Sequence, residues 1–444
     1  MHQARAAPQP PLVLCALTTF HIPLGRAHML ASSIIREARR AGLGAEALTP
    51  VGSLRRFAPS VDDVALLGVV SAARHQHVLQ AFSRLPSAVA VSAQSDSSVT
   101  VNTLRGSVTL HVAPSEQAGA ALVWHTGSTA HVNQLRRRAD ERGLRFVDGA
   151  LYRSAGERIT NASEQSFYSH LELPYIAPEL RAGDGEIEAA GNGTLPALIS
   201  ELDVRGDLHT HSSWSDGQNK IADMVSAAKQ LGYEYVAITD HSERAWSSRA
   251  LARADIPKQA AEIAGIRSRV RGIEILHGIE VDIMHDGTLD FDDEQLRSFD
   301  IVLASLHDSG GHDGARLTER YLQAIQHPLV NVITHPANRA PARSEGYPID
   351  FDRLFAAAAQ TGTAMEIDGA PGHLDMDGLL ARRAVAAGVT VVVDSDCHRV
   401  DALARQMQFG VGTARRGWLE PRHVLNTRGI DEIRAFVTRK RKRG

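Results

Sequence analysis

The chain is 444 residues long, with 43% hydrophobic and 22% charged residues. That composition excludes disordered, collagen-like and disulfide-scaffold classes and leaves room for two or three domains. Forty-eight Lys and Arg against 51 Asp and Glu give a net charge of −3, so no global positive field marks a nucleic-acid or membrane surface, and a polyanion has to be met by a local patch or by metal ions.

Two cysteines, Cys15 and Cys397, support neither a disulfide framework nor a thiolate cluster and fit a reducing cytoplasm. The first apolar stretch, Leu12 to Phe20, follows Pro8, Pro10 and Pro11; it is too short for a membrane span and a poor signal peptide. Residues 1–25 therefore read as a ragged terminus. Arg26 to Arg40 has the spacing of an amphipathic helix, and Val64 to Val70, Ser98 to Thr103 and Ser107 to Val112 alternate or run apolar as short strands. Ala118 to His125, Thr129 to Arg142 and Glu164 to Leu171 read as helical, and Gly191 to Pro196 is a turn-rich linker ahead of a boundary near residue 200.

Beyond that boundary seven candidate strands alternate with helices. The strands are Arg205 to Leu208, Tyr235 to Thr239, Ile273 to Val281, Ile301 to Leu306, Val330 to Thr334, Thr363 to Ile367 and Gly388 to Val393. Such alternation predicts an α/β barrel, with a doubly wound sheet as the alternative, since periodicity does not say whether the sheet closes. Arg439 to Arg443 reads as a basic tail.

Histidines and carboxylates recur where these strands end. His209 and His211 sit two apart in Asp207-Leu208-His209-Thr210-His211, and Asp216 follows after a short turn. His241, Glu280, His307, His335, Asp396 and His398 occupy the later strands or their ends. A closed barrel brings such segments to one rim. Nine nitrogen and oxygen ligands exceed the needs of one ion, so two or three divalent cations are the economical count, and the mixture of imidazole and carboxylate suits Mn, Zn or Fe. Closely spaced divalent ions activate water and clamp the oxygens of a phosphate ester, which makes phosphoester hydrolysis the expected chemistry.

The segments RGDLHTHSSWSDG, YVAITDHS, ILHGIEVDI, DIVLASLH, ITHP, EIDGAP and DSDCH resemble the PHP (polymerase and histidinol phosphatase) domain, specifically the one at the C-terminus of bacterial family X DNA polymerases. The resemblance implies a distorted seven-stranded barrel with a trinuclear centre. It implies one metal on His209, His211, Glu280 and Asp396, with Glu280 bridging to a second on His307 and His335, and a third on Asp216, His241 and His398. Asp240 is expected to orient a ligand or water. His241, Glu280, His335 and His398 are expected to serve catalysis, and Arg339 to clamp phosphate.

The first half resembles the same family. Gly52-Ser53-Leu54-Arg55-Arg56 looks like its GSxRR segment, Gly127 to Asn133 like its palm-to-thumb segment, and Leu173 to Arg181 like its connector. The implied layout is a degenerate palm over residues 26–115, a thumb-like region and connector over 116–200, and the PHP domain with a short basic tail over 201–444. Family palms carry three metal-binding carboxylates; the matching positions here are Asp63, Ala65 and Thr109, so one remains and nucleotidyl transfer is not expected. Arg55, Arg56 and Arg136 to Arg138 are either phosphate contacts or solvated charge.

The functional expectation is a metal-dependent phosphoesterase at DNA ends: a 3′-5′ exonuclease, 3′-phosphatase or phosphodiesterase, with abasic-site cleavage in the same repertoire. DNA ends or single-stranded DNA are the expected partners, with no membrane. The alternatives are a small-metabolite phosphatase, such as one for histidinol phosphate, and a noncatalytic DNA-binding protein.

Overall fold

A computed structural model describes residues 21–43, 48–245, 247 and 249–442. The stretch Leu12 to Phe20, and Cys15 with it, lies outside the described residues. Among those residues no helix is long and apolar enough to cross a membrane.

The first layer is a five-stranded sheet in the order Leu48–Val51, Val64–Val69, Gly106–Ala113, Ser98–Thr103, Ala90–Gln94, with the second and third strands parallel and the other pairs antiparallel. Helices Leu24–Arg40 and His75–Ser83 supply Leu30, Ile34, Leu79 and Phe82 to a core with Leu66, Val101, Val108 and Leu110. A second unit combines helices Ala118–Thr126, Thr129–Asp140 and Glu164–His170 with a three-stranded antiparallel sheet of Leu144–Val147, Ala150–Arg153 and Arg158–Ile159.

The remainder is a seven-stranded parallel sheet whose strands, Gly206–Asp207, Tyr235–Ile238, Glu274–Asp282, Ile301–Ser305, Val332–Ile333, Ala364–Asp368 and Val391–Asp394, lie side by side in chain order. That order has no reversal point, so the sheet is not doubly wound. It curls until its edges meet. The Leu208 N–H donates to Asp394 Oδ1 at 2.8 Å, the Ser395 N–H donates to Asp207 Oδ1 at 3.2 Å, and Thr210 bridges to Cys397. Two buried carboxylates thus complete a barrel that its short first strand could not close by backbone pairing alone.

Both faces of each strand are buried, which is why the strands read as unbroken apolar runs. Along Tyr235–Ile238 the inward residues Tyr235 and Ala237 join a core with Leu276, Ile301, Leu303, Val332 and Val392, while Val236 and Ile238 pack outward against helices. The inner core is plugged by Ile433, Phe436 and Val437 of helix Ile430–Arg441. Arg439 to Arg441 are therefore the last turn of a packed helix, not a tail. Lys440 is 4% exposed and its ammonium donates to the Ile325 carbonyl at 2.9 Å and to Thr363 Oγ1 at 2.5 Å.

Candidate metal centre

Strand period two, carried past the C-terminal strand ends, places most of the site. Ala237 points into the barrel, and so, two and four residues on, do Thr239 and His241; Leu276 leads in the same way to Glu280, Leu303 to His307, Ala364 to Glu366 and Val392 to Asp396 and His398. His335 breaks the period. It follows a two-residue strand and sits at φ 26°, while Asp396 sits at φ 48°. Left-handed backbone at two non-glycine residues of one site is strain that the surrounding packing has to hold.

All nine predicted ligands meet at one mouth. The ligating atoms of eight of them form overlapping groups, His209, His211 and Asp396; His211, Asp216, His241 and His398; and His241, Glu280 and His307, while His335 joins through Glu280. The Nε2 atoms of His209 and His211 are 3.1 Å apart, and His211 Nε2 lies 3.1 Å from Asp396 Oδ1 and 3.5 Å from Glu280 Oε2. His398 Nε2 is 3.2 Å and His241 Nε2 3.5 Å from Asp216 Oδ1. Donors held about 2.0–2.2 Å from a shared cation at right or tetrahedral angles stand roughly 3.0–3.5 Å from each other, so these edges have ligand-cage spacing. Glu280 is central: Oε2 reaches His241 Nδ1 at 2.8 Å and Oε1 reaches His335 Nε2 at 3.0 Å and His307 Nε2 at 3.6 Å.

The donor set fits divalent ions by a second test. His211 Nδ1, Asp216 Oδ1, His241 Nδ1, Glu280 Oε2 and His335 Nδ1 are buried with no hydrogen-bond partner. His241 Nδ1 and Glu280 Oε2 stand 2.8 Å apart and Asp216 Oδ1 3.2 Å from His398 Nε2 without hydrogen-bond alignment, and polar atoms left so in one pocket are costly in a purely structural cluster. Protonation suits metal binding at His211, His335, Glu280 and Asp396, whereas neighbouring carboxylates, against burial, hold His209 well above its ordinary range and push His307 and His398 up to about 9, so these three release a proton when they ligate. Burial, joined by the neighbouring His398 and His241 charges, pushes His211 down to about 3, and burial pushes His335 down to about 4. Burial opposes ionisation of Glu280, but the imidazoles of His241, His209 and His307 outweigh it and hold the carboxyl well below its ordinary range. Asp396 is likewise held well below, against burial, by His398 and His209.

Supporting residues surround the cage. Glu366 Oε1 lies 2.6 Å from His209 Nδ1, Asp282 lies 3.1 Å from His307 Nδ1, and Asp368 lies 2.9 Å from His373 Nδ1. Asp240 accepts from Ser212, Ser215 and Gln259, and so fixes the turn between His211 and Asp216. The sequence places Glu366 and Asp368 in or at the end of the sixth strand without marking Glu366 as a site residue, and it gives no sign of Asp282 or His373; the inward parity of Glu366 after Ala364 was the available signal. His373, with Asp368 and Asp396, forms a further group of metal-type ligands on the same pocket.

The pocket has a volume of about 450 Å³ and is also lined by Ser247, Pro371, Gly372 and Gln406. Arg339 is not among its lining residues; its guanidinium donates to Asp377 Oδ2 at 2.9 Å. Arg55 and Arg56 are engaged too. Arg55 pairs with Glu164 at 2.7 Å, and Arg56 donates to the Thr126 carbonyl at 2.6 Å.

Residues 207–343 match the PHP domain family and residues 121–182 the DNA polymerase beta thumb family. The chain is 37% identical over 393 residues to the DNA polymerase/3′-5′ exonuclease PolX of Bacillus subtilis, covering 87% of this chain and 68% of that one. It is 34% identical over 204 residues to a probable phosphatase of Shewanella oneidensis, covering 43% of this chain and 75% of that one. A probable phosphatase of Thermoanaerobacter is 29% identical over 248 residues, covering 53% and 96%. A convergent cage of imidazoles and carboxylates on a seven-stranded barrel, together with these matches, places the chain in the family of X-type DNA polymerase-like proteins that join a thumb-like region to a C-terminal PHP domain.

Proposed function

We propose that the chain is a divalent-metal-dependent phosphoesterase acting on DNA ends, as a 3′-5′ exonuclease or 3′-phosphatase, with phosphodiester cleavage at abasic sites as a related reaction. The observation that carries this reading is Glu280, whose two oxygens face separate sets of imidazoles at one open mouth. Such spacing holds two or three ions, with Mn, Zn or Fe matching the donors. Ions bound there supply a nucleophile from water at neutral pH and neutralise charge on the phosphate.

The protein's own part is placement. Glu280 and Asp396 stay ionised and His211 and His335 stay neutral, so their lone pairs are available without a proton leaving first. His398, 32% exposed, stands on the solvent side of the cage where an ester approaches. His241 lines the pocket between the groups around Asp216 and Glu280.

The domain layout follows the same reading: a palm-like region over 26–115, a thumb-like region and connector over 116–200, and the phosphoesterase from 201. In the palm-like sheet Ala65 stands beside Thr109 in parallel register, and Asp63 is the remaining carboxylate of the expected three. Paired carboxylates for holding Mg²⁺ against a triphosphate are absent from these positions, which supports repair of ends in place of synthesis.

A second reading, hydrolysis of a small phosphomonoester such as histidinol phosphate, draws support from the probable phosphatases among the relatives. A Mn²⁺-dependent assay on 3′-hydroxyl, 3′-phosphate and abasic DNA, run beside histidinol phosphate, separates the two. Hydrolysis of DNA ends, abolished in His209→Ala and Asp396→Ala, is the expected outcome. Turnover of the small ester alone overturns the DNA reading, and DNA binding with no hydrolysis leaves a noncatalytic binding protein.

A further inference from the structure

A second cavity, of about 290 Å³, lies against the metal pocket where the two halves of the chain meet. Helix Leu24–Arg40 contributes Arg26 and Met29, the segment after the fifth barrel strand contributes Arg343, and helix Leu403–Arg416 contributes Arg405. Pro371 and Gly372 line this cavity and the metal pocket alike, so the two share a wall. Among the described residues no carboxylate lines it.

Several buried or half-buried arginines are paired, as Arg55, Arg181, Arg339 and Arg415 are with Glu164, Asp377 and Glu179. Arg26, Arg343 and Arg405 are exposed, and none makes an ion pair among the described residues. Like charges gathered from three separate segments repel one another unless an anion joins them.

The elements that carry two of them, helices Leu24–Arg40 and Leu403–Arg416, pack closely against the same loop and core. Gly25 approaches the Pro371 loop so closely that a Cβ there would stand 2.5 Å from Pro371 Cβ. Leu374 and Phe409 of the barrel half are buried in the apolar core of the first half. The palm-like region is thus a fixed wall beside the metal mouth.

We propose that this cavity binds the sugar-phosphate backbone of a single DNA strand whose terminal ester occupies the metal pocket. Arg26, Arg343 and Arg405 hold phosphates upstream of the scissile one, and Met29, 49% exposed, offers an apolar contact beside them. This inference rests on the DNA-end reading and gives the palm-like half a role in substrate binding through Arg26. Interactions of this kind are with phosphate, so the subsite is indifferent to base sequence.

The test compares the full-length chain with an Arg26→Ala, Arg343→Ala, Arg405→Ala triple variant in Mn²⁺ on a single strand of about 12 nucleotides. Bis(p-nitrophenyl) phosphate, too small to reach the second cavity, reports on the metal centre alone. The expected result is a KM for the oligonucleotide raised roughly tenfold or more, and a salt dependence of log(kcat/KM) flatter by about 0.7 for each phosphate that the variant no longer neutralises. An unchanged KM and salt slope overturns the proposal, as does a decline on the small ester equal to that on the oligonucleotide. A wild-type chain that turns over the small ester and leaves the oligonucleotide intact overturns the DNA-end reading and the subsite together.

Discussion

His209 Nδ1 lies 2.6 Å from Glu366 Oε1, with both side chains fully buried. The contact orients the ring so that Nε2 faces Glu280 and Asp396, while the other oxygen of Glu366 accepts the His335 N–H at 2.7 Å. One carboxylate therefore aims two of the nine cage residues from outside the cage. Glu366→Gln is expected to fold normally and to bind Mn²⁺ about 10- to 100-fold more weakly, measured by isothermal titration. Unaltered affinity would show that the ring needs no such support.

Glu164 accepts from Arg55 and from Arg181, the latter fully buried. Removing the carboxylate leaves Arg181 charged and unpaired among Tyr168, Tyr175 and the Ile176 carbonyl. Glu164→Ala is expected to cost about 3–5 kcal/mol, read as a lower denaturation midpoint of the thumb-like region. A midpoint within experimental scatter of wild type would mean the pair is dispensable.

His125 and His111 stack at 3.9 Å between ring centroids. Burial, with a smaller contribution from the His111 charge, pushes His125 down to about 3. The unfolded chain takes up this proton near its ordinary pKa of about 6.5 and the folded chain does not. Stability from this group is thus fully present above about pH 6.5 and falls as pH drops toward 3, by up to roughly 1.4 kcal/mol per unit. Thermal midpoints of wild type and His125→Gln between pH 7 and about 4 are expected to converge on acidification; parallel curves would remove His125 from the account.

Much of the barrel was legible in the amino-acid sequence, because strands buried on both faces appear as short apolar runs and because histidines and carboxylates stood at their ends. His241, Glu280, His307 and His398 could be found that way. Glu366 could not be separated from any other strand carboxylate, since its importance comes from His209, 157 residues away. The same distance problem hid the partners of Arg55 and the burial of Lys440: a sequence displays charge, and only packing shows whether solvent or a buried oxygen receives it. Helix Leu403–Arg416, which ties Phe409 into the first half's core, also escaped notice. Barrel closure was the least accessible feature, because Asp207 and Asp394 join the edges by side chain to backbone, outside any strand pattern.

Asp63 stands two residues before Ala65, and Ala65 pairs with Thr109, so the positions expected to carry carboxylates in the five-stranded sheet form one patch. With alanine and threonine at two of them, incubation with a primed template, deoxynucleoside triphosphates and Mg²⁺ or Mn²⁺ is expected to yield no extended primer. Extension products would show that nucleotidyl transfer persists without the paired carboxylates.

The most direct test counts ions. Wild type and Glu280→Gln are saturated with Mn²⁺ or Zn²⁺, freed of excess by gel filtration and analysed by inductively coupled plasma mass spectrometry. Because Glu280 faces imidazoles on both of its oxygens, the account predicts two or three ions per wild-type chain and at least one fewer in the variant. A wild-type chain that retains a single ion or none, or a variant that keeps the full complement, would contradict it.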